Sequence, residues 1–238
     1  MKKITIAVAF STLMLSSLTV FAQSQSREEI LKDIAAKRAE LAKLEKAFLS
    51  PSEEDRVTYA EFLREPGTGL IRLLPRETYD KQNLNAMTLR GGGSFFSFKD
   101  RNHEYGNSSD ISLERGMLNT GFAGANYGML ATLGDVRLET VTLETAAAQV
   151  LGQYSRAEDE PHARIEQRRT SDGATIDGVS YKSRQSLKLN STYVLRAVNY
   201  DASDVLVAFR VVRIDNDDSV TILWKLLKQY PTPYLARN

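Results

Sequence analysis

Apolar and polar positions change rhythm several times along the chain. Residues 4–20 are largely apolar, with small hydroxylated residues among them, and follow the cations Lys2 and Lys3. Between residues 27 and 49 there is no glycine or proline, and apolar side chains recur at Ile30, Ile34, Leu41, Leu44 and Phe48. Those spacings of 4, 7, 3 and 4 follow a heptad seam with Lys37 at its one polar position, and they predict a helix with a narrow apolar stripe. Such a stripe suits self-association with a second copy or packing within its own chain. Ser50-Pro51-Ser52-Glu53 then reads as a stop and a restart. Ser50 caps, Pro51 takes the first helical position and Glu53 completes a capping box. A shorter second helix is expected to run to Arg64, with Val57, Leu63 and either Ala60 or Phe62 turned inward. Pro66-Gly67-Thr68-Gly69 ends it, since proline cannot continue the hydrogen-bond ladder and glycine allows positive φ.

From residue 70 the pattern turns to strands. Residues 70–74, 88–98, 111–122 and 127–133 are β-branched, aromatic and apolar runs broken by Gly, Asn and Asp. Residues 145–154 predict a short helix. Residues 163–170 and 175–181 are expected as strands flanking Ser171-Asp172-Gly173-Ala174, because Asp-Gly supplies the positive φ of a tight hairpin. Three final strands, 192–200, 205–214 and 220–227, are separated by turns too short for a crossover helix and predict an antiparallel meander. Val205-Leu206-Val207-Ala208-Phe209 is apolar on both pleat faces, so its strand should be central and covered twice. Val220, Ile222, Trp224 and Leu226 alternate with Thr221 and Lys225, which predicts a mostly one-sided last strand. The expected fold is mainly β with N-terminal α-helices, an antiparallel β-sandwich or open barrel of about eight strands ending in the meander. Three segments are expected: 1–22, a helical segment 23–65 carrying a short coiled-coil seam, and a β-rich domain 66–238.

The first 22 residues have the order of a secretory signal peptide: a basic start, an apolar stretch and Val20-Phe21-Ala22 before the polar Gln23-Ser24-Gln25-Ser26. The mature chain is therefore expected outside the cytoplasm, periplasmic or extracellular. The alternative is an uncleaved anchor, since the stretch is near the lower limit of about 17 residues for a membrane span. With no cysteine in the chain, a lipobox anchor, disulfides, thiolate ligands and cysteine nucleophiles are all ruled out. About 200 mature residues can still bury a core that stands without disulfides. Charge is balanced at 31 Lys+Arg against 30 Asp+Glu, and without Lys2 and Lys3 the mature chain carries a formal charge of −1. Arg164, Arg168 and Arg169 are interleaved with Glu166 and Asp172, which reads as a solvated strand face and argues against nucleic-acid binding.

Candidate chemistry concentrates in two glycine-aromatic stretches. Arg90-Gly91-Gly92-Gly93-Ser94-Phe95-Phe96-Ser97-Phe98 lets a ligand or another backbone approach closely and offers aromatic faces beside the glycines. It lacks the Lys-Ser/Thr pair of a phosphate-binding loop. Asp100-Arg101-Asn102-His103-Glu104-Tyr105-Gly106 leads on to Asp110 and joins a histidine to carboxylates, the minimum for acid-base chemistry or half a metal site. A zinc site would need His162 as well, and the run also suits a polar surface loop. Gly121-Phe122-Ala123-Gly124-Ala125-Asn126-Tyr127-Gly128 is the second stretch. If the two meet, they form an aromatic-edged groove, and Arg90, Gly92, Phe95, His103, Tyr105 and Tyr127 are the candidate ligand-binding residues. Asp215-Asn216-Asp217-Asp218 suits calcium in donor type but reads better as a hairpin turn, and Tyr230-Pro231-Thr232-Pro233-Tyr234 as an extended, exposed tail. No cofactor or metal is expected. The functional expectation is an exported non-enzymatic binding or assembly protein of the bacterial envelope, partnered by itself, an envelope protein or a glycan. The rival is an envelope hydrolase acting on a glycan or peptide through Asp, Glu and His.

Overall fold

The computed structural model describes residues 26–77 and 89–236, so the signal-like segment 1–22 lies outside the described residues. The chain divides into two units, residues 1–42 and 43–238. What is described of the first unit is helical and belongs to α1, Arg27–Phe48, which matches the periodicity. Its start carries a reciprocal cap: Glu29 N–H donates to Ser26 Oγ, and Ser26 N–H to the Glu29 carboxylate. None of its residues is buried; Ile30, Ile34, Leu44 and Phe48 are exposed and Leu41 is half-buried.

In the second unit, the last turn of α1 leads into α2, Glu53–Thr58. Ser52 caps this helix, not Ser50: Ser52 Oγ accepts from Asp55 N–H at 3.1 Å, while Ser50 Oγ donates back to the Lys46 carbonyl at 2.7 Å. Ser50 thus closes the preceding helix, and Pro51 lies between the two. A 3-10 turn at Phe62–Arg64 buries Phe62 and leaves Val57 and Ala60 exposed.

The unit is mainly β, with antiparallel sheets. The strands are β1 Thr68–Leu73, β2 Phe95–Phe96, β3 Ile111–Glu114, β4 Met117–Asn119, β5 Tyr127–Gly134, β6 Ala174–Ile176, β7 Val179–Tyr181, β8 Arg184–Ser186, β9 Thr192–Asn199, β10 Ser203–Ile214 and β11 Val220–Gln229. Five form a sheet in the order β1-β11-β10-β9-β5, four form β2-β3-β4-β8, and β6-β7 is a hairpin. The helices α3, Ala146–Gln153, and α4, Glu160–Asp172, complete the unit.

Three strand expectations change. Residues 111–122 are a hairpin, because Arg115 and Gly116 take φ of 50° and 64° and turn the chain back. Of the expected strand 88–98, described from residue 89, only Phe95 and Phe96 among the described residues are strand, since Gly91, Gly92 and Gly93 all have positive φ and cannot continue a pleat. Residues 163–170 are helix. Asp159 Oδ1 caps the His162 N–H at 2.9 Å, Pro161 sits in the first turn, and Gly173 at φ 91° closes the far end. The hairpin turn is the next Asp-Gly pair, Asp177-Gly178, at φ 48° and 79°. The arginines of residues 164–169 accordingly lie on a helix: Arg164 pairs with Glu160 and Arg169 with Glu166.

The five-stranded sheet is covered on both faces. Leu206 and Ala208 pack with Met129, Val194, Ala148 and Leu151 on the side of α3 and α4, while Val205, Val207 and Phe209 pack with Phe96, Ile111 and Leu118 of the smaller sheet and with Phe98 of the turn after β2. β10 is therefore central and buried twice, as its unbroken apolar run implies. β11 is less one-sided than its alternation suggests, since Leu223 joins the helix-side core while Ile222 and Trp224 join the other.

A buried ion pair ties α3 to the sheet. Arg196, 2% exposed, grips the carboxylate of Asp204 at 2.7 and 3.0 Å, donates to the Leu151 carbonyl at 2.8 Å, and lies 3.6 Å from the centre of the Tyr230 ring. It thereby satisfies carbonyls left unpaired at the end of α3. The tail 230–234, expected to be extended and exposed, leaves Pro231 and Tyr234 exposed but is docked at Pro233. Pro233 is buried and accepts from Asp201 N–H at 2.8 Å, and Ala236 pairs with the chain at Glu158. The acidic run 215–218 is the β10–β11 turn, and its carboxylates face Arg72 and Arg213.

Candidate binding site

Phe95 and Phe96 are adjacent on β2, so their rings leave opposite faces of the strand. The Phe95 ring lies 4.6 Å from Tyr105 and 5.1 Å from Phe122, which brings the two glycine-aromatic stretches together. Arg90 stands over Tyr105 at 5.6 Å, and Tyr105 N–H donates to the Arg90 carbonyl. Gly91 allows this closeness, because a Cβ there would sit 2.5 Å from the Phe95 ring. Arg90, Phe95 and Tyr105 are thus one cluster, beside the buried Gly92.

His103 and Tyr127 lie elsewhere. Tyr127 is buried in the helix-side core, its hydroxyl bonded to Tyr154 Oη and to Ala157 N–H, both at 3.1 Å. Its place in the sequence beside the second glycine-aromatic stretch predicts a groove residue, but the pleat of β5 turns it toward α3 and α4. His103 faces the Phe96 side.

A cavity of about 260 Å³ opens at that side, against the edge of β1. Its floor is Phe96, His103 and Trp224, with ring centres 5.0 Å apart for Phe96–His103 and 6.2 Å for Phe96–Trp224. Three cations line it: Lys46 from the last turn of α1, Arg56 from α2 and Arg101 from the loop after β2. Arg101 is placed by a tight turn, with φ of 53° and its N–H on the Ser97 carbonyl, which lays its guanidinium 5.4 Å from the Trp224 ring centre. Among the described residues no carboxylate lines the cavity. Gly69 faces Trp224 across the β1–β11 ladder, and a Cβ there would come 2.5 Å from the indole Nε1. That Nε1 is buried without a hydrogen-bond partner among the described residues.

His103 is not a general base paired to a carboxylate. Its Nε2 donates to the Arg72 carbonyl at 2.8 Å, and burial lowers its pKa from the ordinary value, against the opposing effect of that bond. His162 pairs with Asp159 on an exposed helix turn at 2.7 Å. The two histidines therefore do not share a site, and among the described residues no three His, Asp or Glu side chains are placed to hold a metal ion.

Asp110, named with His103 in the sequence, is fully buried on another edge of the same core. It accepts from Phe98 N–H and Asn199 Nδ2, both at 2.7 Å. Burial raises its pKa to about 7, with those hydrogen bonds pulling the other way. Sequence reasoning missed the cavity's cations and Trp224 as a group, because they come from segments up to 178 positions apart that no local pattern connects. Comparison with protein-family models, curated proteins and solved structures finds no match to this chain.

Proposed function

We propose that the chain is an exported, non-enzymatic binding or assembly protein of the bacterial envelope. It works in the periplasm or outside the cell after loss of residues 1–22 and self-associates through α1. The carrying observation is the uncovered seam: Ile30, Ile34, Leu44 and Phe48 are 41–62% exposed along one helical stripe with heptad spacing. A row of large apolar side chains at that spacing favours burial against a second copy of itself. Export rests on the basic, apolar and small-residue order of residues 1–22, and no described helix is long and apolar enough to cross a membrane. In this reading the two sheets that share the Trp224-side core form a β-sandwich, and β9, β10 and β11 its closing meander. The rival, a glycan or peptide hydrolase, needs carboxylates converging on a histidine, whereas His103 is surrounded by a carbonyl and aromatic rings.

The test is sedimentation of the mature protein beside its Leu41→Glu/Leu44→Glu variant. The proposal expects a dimer or trimer that falls to monomer with its thermal unfolding otherwise intact. Equal mass for the two proteins would overturn it.

A further inference from the structure

We infer that the cavity at the β1 edge binds the C-terminal end of an extended peptide, taking its free carboxylate and last side chain. The inference is independent of assembly through α1, since Lys46 lies off the seam set by Leu41, Leu44 and Phe48.

The first support is an open position on the sheet edge. Leu226 N–H donates to the Gly67 carbonyl at 2.8 Å, and the register continues as Thr68 opposite Lys225. Alternation along an antiparallel ladder then aims the backbone groups of Gly69 and Ile71 at β11 and those of Thr68, Leu70 and Arg72 away from it. Thr68 N–H is taken by the Glu65 carbonyl, and the Arg72 carbonyl by His103. Leu70, which lines the cavity, has no backbone partner on its outward side among the described residues. An outward-facing N–H and C=O pair at Leu70, between a Thr68 N–H and an Arg72 carbonyl that are already engaged, is what a single residue of an added strand requires.

The second support is charge. Lys46, Arg56 and Arg101 surround that position, and none of them forms an ion pair among the described residues. Three cations with no lining carboxylate among the described residues suit an anion, and a peptide end carries its carboxylate on the Cα next to its last backbone amide. The third support is the floor. The buried rings of Phe96 and Trp224, each 2% exposed, back the cavity, half-buried Pro51 and Leu70 offer apolar contact to one terminal side chain, and a cavity of about 260 Å³ is too small for a folded partner but sufficient for a chain end. A free inorganic anion would use the cations and leave both the floor and the Leu70 amide unused.

Trp224 is the only tryptophan, so its fluorescence reports occupancy directly. The probe is a pool of N-acetylated tetrapeptides with each natural residue at the last position, titrated into the mature protein as free acids and as C-terminal amides. The expected result is a saturable change with a subset of free acids, about tenfold weaker for the matching amides because a charged hydrogen-bonded group is lost. Lys46→Ala and Arg56→Ala, both at exposed positions, should each weaken binding about threefold with unchanged thermal unfolding. Sodium acetate and phosphate serve as anion controls. No response from any free acid, equal binding of acids and amides, or an equal response to acetate or phosphate alone would each overturn the proposal.

Discussion

Asp110, buried in the core, and His103, half-buried at the cavity, respond to pH in opposite directions. Burial raises the Asp110 pKa from 3.8 to about 7, so between those values the folded state holds a proton that the unfolded state has lost. Its contribution is complete below about pH 4 and is lost as pH rises to about 7. His103 is lowered by burial, so its contribution is present above the ordinary 6.5 and is lost as pH falls through the folded value. Urea unfolding between pH 4 and 8 should therefore show the Asp110→Asn variant without the wild-type decline toward neutrality. At pH 4 that variant should be less stable by about 1–3 kcal/mol, because both carboxyl oxygens accept and an amide nitrogen cannot, and the gap should narrow toward pH 8 as the wild type declines. An unchanged slope would remove Asp110 as its source. Arg196 is a second residue-scale test. Arg196→Met should cost about 3–5 kcal/mol by leaving Asp204 buried without its bidentate partner, and adding Asp204→Leu should recover part of the loss. Full additivity in that cycle would mean that the pair is not coupled. Neither Asp110 nor the ion pair was legible as such. By pattern Arg196 is a polar interruption of a strand and Asp204 the last residue of a turn, and only the carbonyls of residues 151–154 folding over Arg196 give the pair its meaning.

At the scale of elements, legibility followed length. α1 and the last three strands were read nearly to the residue, because each sustains one period for eight residues or more. The three-residue strands β4, β6, β7 and β8 were not, since so short a run has no period to read and its pairing is imposed by neighbours. Residues 163–170 are helix although their alternating charges resemble a strand face, because the helix-defining signals, Asp159 and Pro161, lie just before them. The choice between Ser50 and Ser52 is a sharper case, two capping residues separated by a proline. Ser52→Ala should lower stability by about 1 kcal/mol, whereas Ser50→Ala should change it by less than about 0.5 kcal/mol. Chemical denaturation of the two variants side by side distinguishes them, and equal effects would contradict the assignment of the cap.

For the whole molecule, the sheet order joins β1 to β11 and β5 to β9 across long stretches of chain, which strand periodicity cannot disclose. The same long-range closure builds the cationic cavity from α1, α2, β1, the loop after β2, and β11, and it separates His103 and Tyr127 from the Arg90–Phe95–Tyr105 cluster. What the chain's pattern did disclose is a helix whose apolar stripe the described structure leaves uncovered, and the functional account rests on that stripe. The decisive measurement is the mass in solution of the protein recovered from the exported fraction, by light scattering coupled to intact-mass spectrometry. The account predicts a chain beginning at Gln23 in a dimer or trimer. A monomer at micromolar concentration, or a chain that keeps residues 1–22, would contradict it.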